Sequence, residues 1–176
     1  MHCIDQDGEE RAKTIYSIPP ITITHPNELA FTKLSIPLNM EEEDILDQLH
    51  VMTGNDSPVP DVIAEIPEES KPELDGIDYA NNFILFVFTG KHNFGSSPST
   101  NVTQIWQNDN IIYIQANFPK QTSMTVIPGF YYGNYTLSVS KDNMSQFGEI
   151  KLILLDQDGN QRATTIAEIL PTSSAN

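Results

Sequence analysis

Hydrophobic residues change their spacing along the chain of 176 residues. The densest apolar stretch is Phe83-Ile84-Leu85-Phe86-Val87-Phe88. It has no polar face, so it reads as a strand covered on both sides. Further along, apolar and polar residues alternate. Ile112, Ile114, Ala116 and Phe118 interleave with Tyr113, Gln115 and Asn117, which marks a strand with one polar face. Ile150, Leu152 and Leu154 interleave with Glu149, Lys151 and Ile153 in the same way. Val102 to Trp106, Thr122 to Ile127 and Tyr135 to Val139 supply further strands, and Gln107-Asn108-Asp109-Asn110 reads as a turn. Strands about ten residues apart with turns between them predict an antiparallel sandwich or barrel-like meander.

The first half of the chain has a different rhythm. Ile21 to Thr24 and Phe31 to Ile36 read as short strands. From Asn39 the spacing becomes helical, with Ile45, Leu46, Leu49 and Met52 forming one stripe. Asn39 can cap this helix, Glu42 sits where a capping box places it, and Gly54 can end it. The pattern predicts one amphipathic helix near 39–53. Residues 55–78 hold Pro58, Pro60, Pro67 and Pro72 among acids and read as a linker, with a short strand at Val62 to Ala64. The fold class is therefore mainly β, of the α+β kind. An acidic segment covers 1–78, a β-rich domain covers 79–170, and a tail covers 171–176.

A repeat runs through this arrangement. Asp5-Gln6-Asp7-Gly8 opens a stretch ending at Ile15, and Asp156-Gln157-Asp158-Gly159 opens the matching stretch ending at Ile166, an offset of 151. Asp-Gly favours a tight turn, because Gly supplies the positive φ such turns use. Residues 149–169 thus read as a β-hairpin, and residues 5–15 as its second arm alone. Two arrangements fit. The chain could be one unit of an array whose unit is about 150 residues long, or the two arms could share one sheet of a single domain.

The charge is unevenly spread. The net formal charge is −15, and residues 1–78 hold four bases against 18 acids, a balance of −14. Residues 79–176 are close to neutral, with five bases and six acids. Such acidity argues against nucleic acid and anionic membranes as partners, since both need clustered Lys and Arg. No apolar run reaches the roughly 18 residues of a membrane span. The first turn of the expected helix and the linker account for most of the acids by solvation.

Candidate chemistry is sparse. Cys3 is the single cysteine, which excludes an internal disulfide and a thiolate zinc cluster; a lipid-anchor role is the alternative to no role. His2, His25, His50 and His92 show no metal-ligand spacing. The Asp156 turn resembles the start of a calcium loop, but its Gly arrives early and position twelve is Ala167, so a plain β-turn is expected and calcium is the alternative. No nucleophile elbow, P-loop or dinucleotide fingerprint occurs, so no catalytic residues are assigned. Phe130, Tyr131 and Tyr132, together with Phe94 in the 91–100 loop, are the candidate partner surface. Tyr135 belongs to the same aromatic cluster as Phe130, Tyr131 and Tyr132, which reads as a strand entering the core, with a stacking face for sugar or peptide as the alternative.

Residues 77–141 resemble the PrcB-like family, named for an accessory subunit of a bacterial surface protease complex. The resemblance lies in Ile77-Asp78-Tyr79, then Phe83 to Phe88 leading into Thr89-Gly90-Lys91. It continues through Val102 to Trp106, Asn108-Asp109 and Ile111 to Phe118, and ends from Pro128 to Lys141. Where the family carries Gly-Gly-Tyr, this chain has Asn93-Phe94-Gly95-Ser96-Ser97. The resemblance implies an exported bacterial protein, or a lipoprotein, with a non-catalytic β-rich domain that binds other proteins. The expected function is accordingly a non-enzymatic accessory or protein-binding domain. A calcium-stabilised module of a surface repeat protein and a carboxylate-dependent hydrolase are the alternatives.

Overall fold

The computed structural model describes residues 25–36, 39–40, 46–54, 57, 63–65, 67–93, 96–97, 101–118, 120–121 and 130–172. In chain order these form β1 (Phe31–Leu34), β2 (Asn39–Met40), β3 (Asp47–Met52), β4 (Ile63–Glu65), a 3-10 turn (Glu68–Ser70) and α1 (Lys71–Asp75). There follow β5 (Asn82–Asn93), β6 (Ser96–Ser97), β7 (Asn101–Asn108), β8 (Ile111–Asn117), β9 (Lys120–Gln121), β10 (Phe130–Ser140), β11 (Gly148–Leu155) and β12 (Gln161–Ile169).

The protein is mainly β. Four strands make the first sheet, in the order β1-β10-β5-β3, and four make the second, in the order β12-β11-β8-β7. Neither closes into a barrel. Their inner faces share one core. Leu49, Phe83, Leu85, Val87, Leu137 and Val139 face it from the first sheet, and Ile105, Ile112, Ile114, Ile150, Leu152 and Leu154 from the second. β5 is buried on both faces, as its unbroken apolar run requires. Its other side chains, Ile84, Phe86 and Phe88, pack with Ile36, Met52 and Leu74 under the helical segment 68–79. Burying six such side chains stabilises the fold by roughly 1.5–3 kcal/mol each before conformational entropy is counted.

Two expectations change. Residues 47–52 form a strand, not part of a helix, and the helix that does form is α1. The helical stripe at 45, 46, 49 and 52 coincides with a period-two pattern in which Leu49 and Val51 face the shared core. What decides between them is β5. Its far edge needs hydrogen-bond partners, and Asp47 to Met52 pair antiparallel with Thr89 to Ile84. Leu46, a member of the expected stripe, is 70% exposed. The second change is that the sheets are not wholly antiparallel, because β8 and β11 run parallel, Ile112 opposite Leu152. Between them the chain visits the first sheet as β10 and then returns, so a simple meander is ruled out. Strand pairing also crosses residue 78, since β1 and β3 lie in one sheet with β5 and β10.

The 149–169 hairpin forms as expected, with Glu149 opposite Glu168. Its first copy at 5–15, Cys3, and the strands expected at 21–24 and 122–127 lie outside the described residues.

Candidate functional site

The outer face of the second sheet carries an aromatic ladder. A two-residue connection, Asp109-Asn110, joins β7 to β8 and places Asn108 opposite Ile111 and Trp106 opposite Tyr113. Asp109 takes a left-handed φ of 53° to make this turn. Ile105, Gln107, Ile112 and Ile114 point inward and are buried. Strand alternation therefore turns Trp106 and Tyr113 outward. Their rings stack at 5.3 Å between centroids and 15° between planes.

The free edge of β7 is covered by residues 27–29. Leu29 N–H donates to Ile105 O at 2.8 Å, and Gln107 N–H donates to Asn27 O at 2.9 Å. This contact delivers His25 onto Trp106, with centroids 4.0 Å apart and planes 6° apart. β8 lies on one side of β7 and residues 27–29 on the other, so Trp106 is sandwiched between Tyr113 and His25. Both faces of the Trp106 ring are thereby covered. The row continues through pairing, Tyr113 opposite Ile153 and Ile153 opposite Thr164. Beside it run Ile111, Lys151 and Ile166, and Ile166 is 62% exposed. The surface thus has an aromatic and aliphatic row, Trp106, Tyr113 and Ile153, beside a row in which Lys151 separates Ile111 from Ile166.

Buried polar contacts hold this face in place. Gln107 is 1% exposed. Its Nε2 donates to Gln146 O at 2.9 Å, and its Oε1 accepts from Ser145 N–H at 2.7 Å. One side chain thereby fixes the connection from β10 to β11. Asn143 Nδ2 donates from the same connection to Glu28 O at 3.1 Å, so the strap over β7 is anchored as well.

The Asp156 turn is closed by its own residues. Asp156 Oδ1 accepts from the backbone N–H groups of Asp158 and Asn160, each at 2.9 Å, and Asn160 Nδ2 donates to both carboxylate oxygens. Burial pushes the Asp156 carboxyl up. The Asn160 backbone and side-chain donors, the Asp158 N–H and the Arg162 charge outweigh it and hold the carboxyl below its ordinary value. Among the described residues, no group of three or more His, Cys, Asp or Glu is placed to hold a metal ion.

Lys141 is 3% exposed, and its Nζ donates to Tyr79 O at 2.8 Å. Burial pulls its ammonium below the ordinary lysine range, with the Asp78 charge working the other way. Tyr79 is pushed up by burial first and by Asp75 second. Lys141 secures the 78–82 turn to the end of β10 through the Tyr79 and Ala80 carbonyls and its own N–H to Asn81 O.

The residues singled out from sequence fall elsewhere. Phe94 lies outside the described residues. Phe130, Tyr131 and Tyr132 are β10 positions opposite Asn93, His92 and Lys91, and their side chains are outside the described ones. Tyr135 lies in the core, 9% exposed, with Lys33 Nζ 4.7 Å from its ring centroid. The Trp106–Tyr113 pair was missed. The signal was available, since folding the chain at Asp109-Asn110 sets those two residues opposite each other. His25 had no such signal. Among the described residues no helix is long and apolar enough to cross a membrane. Comparison with family models, curated proteins and solved structures finds no match.

Proposed function

We propose that the protein is a non-enzymatic, accessory-type binding domain that engages another protein through the outer face of its second sheet. The observation that carries this reading is the Trp106–Tyr113 ladder, continued by Ile153, with Ile111 and Ile166 in the next row on either side of Lys151. Because both faces of Trp106 are covered, a ligand meets that ring at its edge and the aliphatic groups beside it rather than by stacking on it. The resemblance of residues 77–141 to the PrcB-like family supports the same role and is the basis for proposing an exported bacterial protein; Trp106 and Tyr113 lie within that stretch.

Site-specific photo-crosslinking in cells that make the protein tests this. A crosslinking phenylalanine analogue at position 113 gives a discrete adduct with one other protein. The same analogue at Glu69, beside the helix that covers the first sheet, gives none. Ile166→Asp removes the adduct while leaving the melting temperature within a few degrees. No adduct at 113, or equal adducts at both positions, overturns the reading.

A further inference from the structure

The layer between the first sheet and the helical segment 68–79 is apolar, yet two side-chain hydroxyls are enclosed in it. Tyr79 packs against the cluster of Ile36, Met52, Leu74, Ile84, Phe86 and Phe88. Thr136 sits on β10 between Leu34 of β1 and Phe86 of β5, its register partners on either side. Both neighbours belong to that layer, and cross-strand partners share a face, so the Thr136 side chain points into it. Thr136 is 3% exposed. Its Oγ1 and the Tyr79 Oη are both buried, and neither has a hydrogen-bond partner among the described residues. Strands on both sides of β10 take up its main-chain groups. Buried polar groups that lack a protein partner are where internal water binds, because leaving them unpaired is costly. A polar approach leads to the same place. Ser138 lies two residues on along the same face and is half-buried, and Thr32, its partner on β1, is exposed. Hydroxyl-bearing side chains therefore run from the surface at Thr32 through Ser138 to Thr136.

We infer that this layer holds an internal water-binding site, with Thr136 Oγ1 and Tyr79 Oη as its hydrogen-bonding groups. The ligand is water rather than an ion, because the side chains of the cluster are aliphatic and aromatic and offer no compensating charge. Each hydroxyl can donate and accept, so water satisfies it in either orientation. The Thr32–Ser138 column supplies the route by which this water exchanges with solvent. The site lies on the outer face of the first sheet, so the inference is independent of the proposed binding face on the second.

Substitutions that delete a hydroxyl and keep the shape of the side chain test this in the full chain. With water bound, Thr136→Val and Tyr79→Phe each remove a hydrogen bond from it, and each lowers the melting temperature by roughly 2–4 °C. Thr32→Val makes the same change at an exposed position on the same face. It is the reference for strand propensity and shifts the melting temperature by no more than about a degree. Deleting a hydroxyl that is merely unpaired would stabilise the protein instead. A melting temperature that rises or holds in Thr136→Val and Tyr79→Phe therefore overturns the inference. A high-resolution crystal structure of the parent shows an ordered water oxygen within about 3.2 Å of each hydroxyl. Absence of ordered solvent at both also overturns it.

Discussion

Arg162 reaches Asp47 at 2.8 Å across 115 positions of sequence, joining the outer strand of one sheet to the outer strand of the other. Its side chain is 42% exposed and that of Asp47 is 17% exposed, so solvent screens the pair. A double-mutant cycle with Arg162→Ala and Asp47→Ala should give a coupling of about 0.5–1 kcal/mol, shrinking in high salt. Arg162→Ala alone should cost somewhat more, because the guanidinium also covers the Phe118 ring. Urea unfolding at low and high ionic strength measures both.

Asp156 should give the domain an acid-sensitive component. Its folded value lies below its ordinary one, so the unfolded state takes up a proton first as the pH falls. The stability it contributes is complete above the ordinary carboxyl value and is lost as the pH drops through the folded value. Stability of the parent should therefore fall more steeply than that of Asp156→Asn from about pH 5 toward pH 2. Parallel curves for the two proteins would remove Asp156 from the account.

Gln107 is a buried polar group whose truncation strands two main-chain partners. Gln107→Leu leaves the Gln146 carbonyl and the Ser145 N–H without their buried partner. The expected cost is about 2 kcal/mol. Hydrogen exchange should localise the change, with protection lost first across 143–147 and at Leu29, whose strap the same connection anchors.

Lys141 should act in the same pH direction as Asp156, but in the alkaline range. Its folded value is lowered, so between that value and the ordinary lysine value the unfolded state holds a proton that the folded state has released. Stability attributable to Lys141 rises with pH through that window. Lys141→Met should destabilise the protein at neutral pH by removing a donor to Tyr79 O, and the deficit should widen as the pH approaches 10. Chemical denaturation of both proteins at pH 7 and pH 10 checks the sign.

Much of the fold was legible in the residues because local pattern reports local geometry. Phe83 to Phe88 announced a strand buried on both faces, and β8 and β11 announced one inward face each. The two hairpins were legible where a short Asp-containing turn joined alternating segments. Residues 47–52 were not legible, because their apolar spacing fits a helix and a strand alike. The ladder was half legible: Trp106 and Tyr113 follow from the β7–β8 turn, whereas His25 arrives only through the strap at 27–29.

By itself the sequence determined which segments are apolar on one face, which on both, where the chain reverses, and that 5–15 repeats 156–166. These are consequences of side-chain period and turn chemistry over a few residues. Tertiary structure alone decided that β3 completes the edge of β5, that β8 and β11 run parallel, and that Arg162 meets Asp47. Each of these depends on a hydrogen-bonding edge or a charge meeting a partner far along the chain, and local periodicity carries no record of that partner.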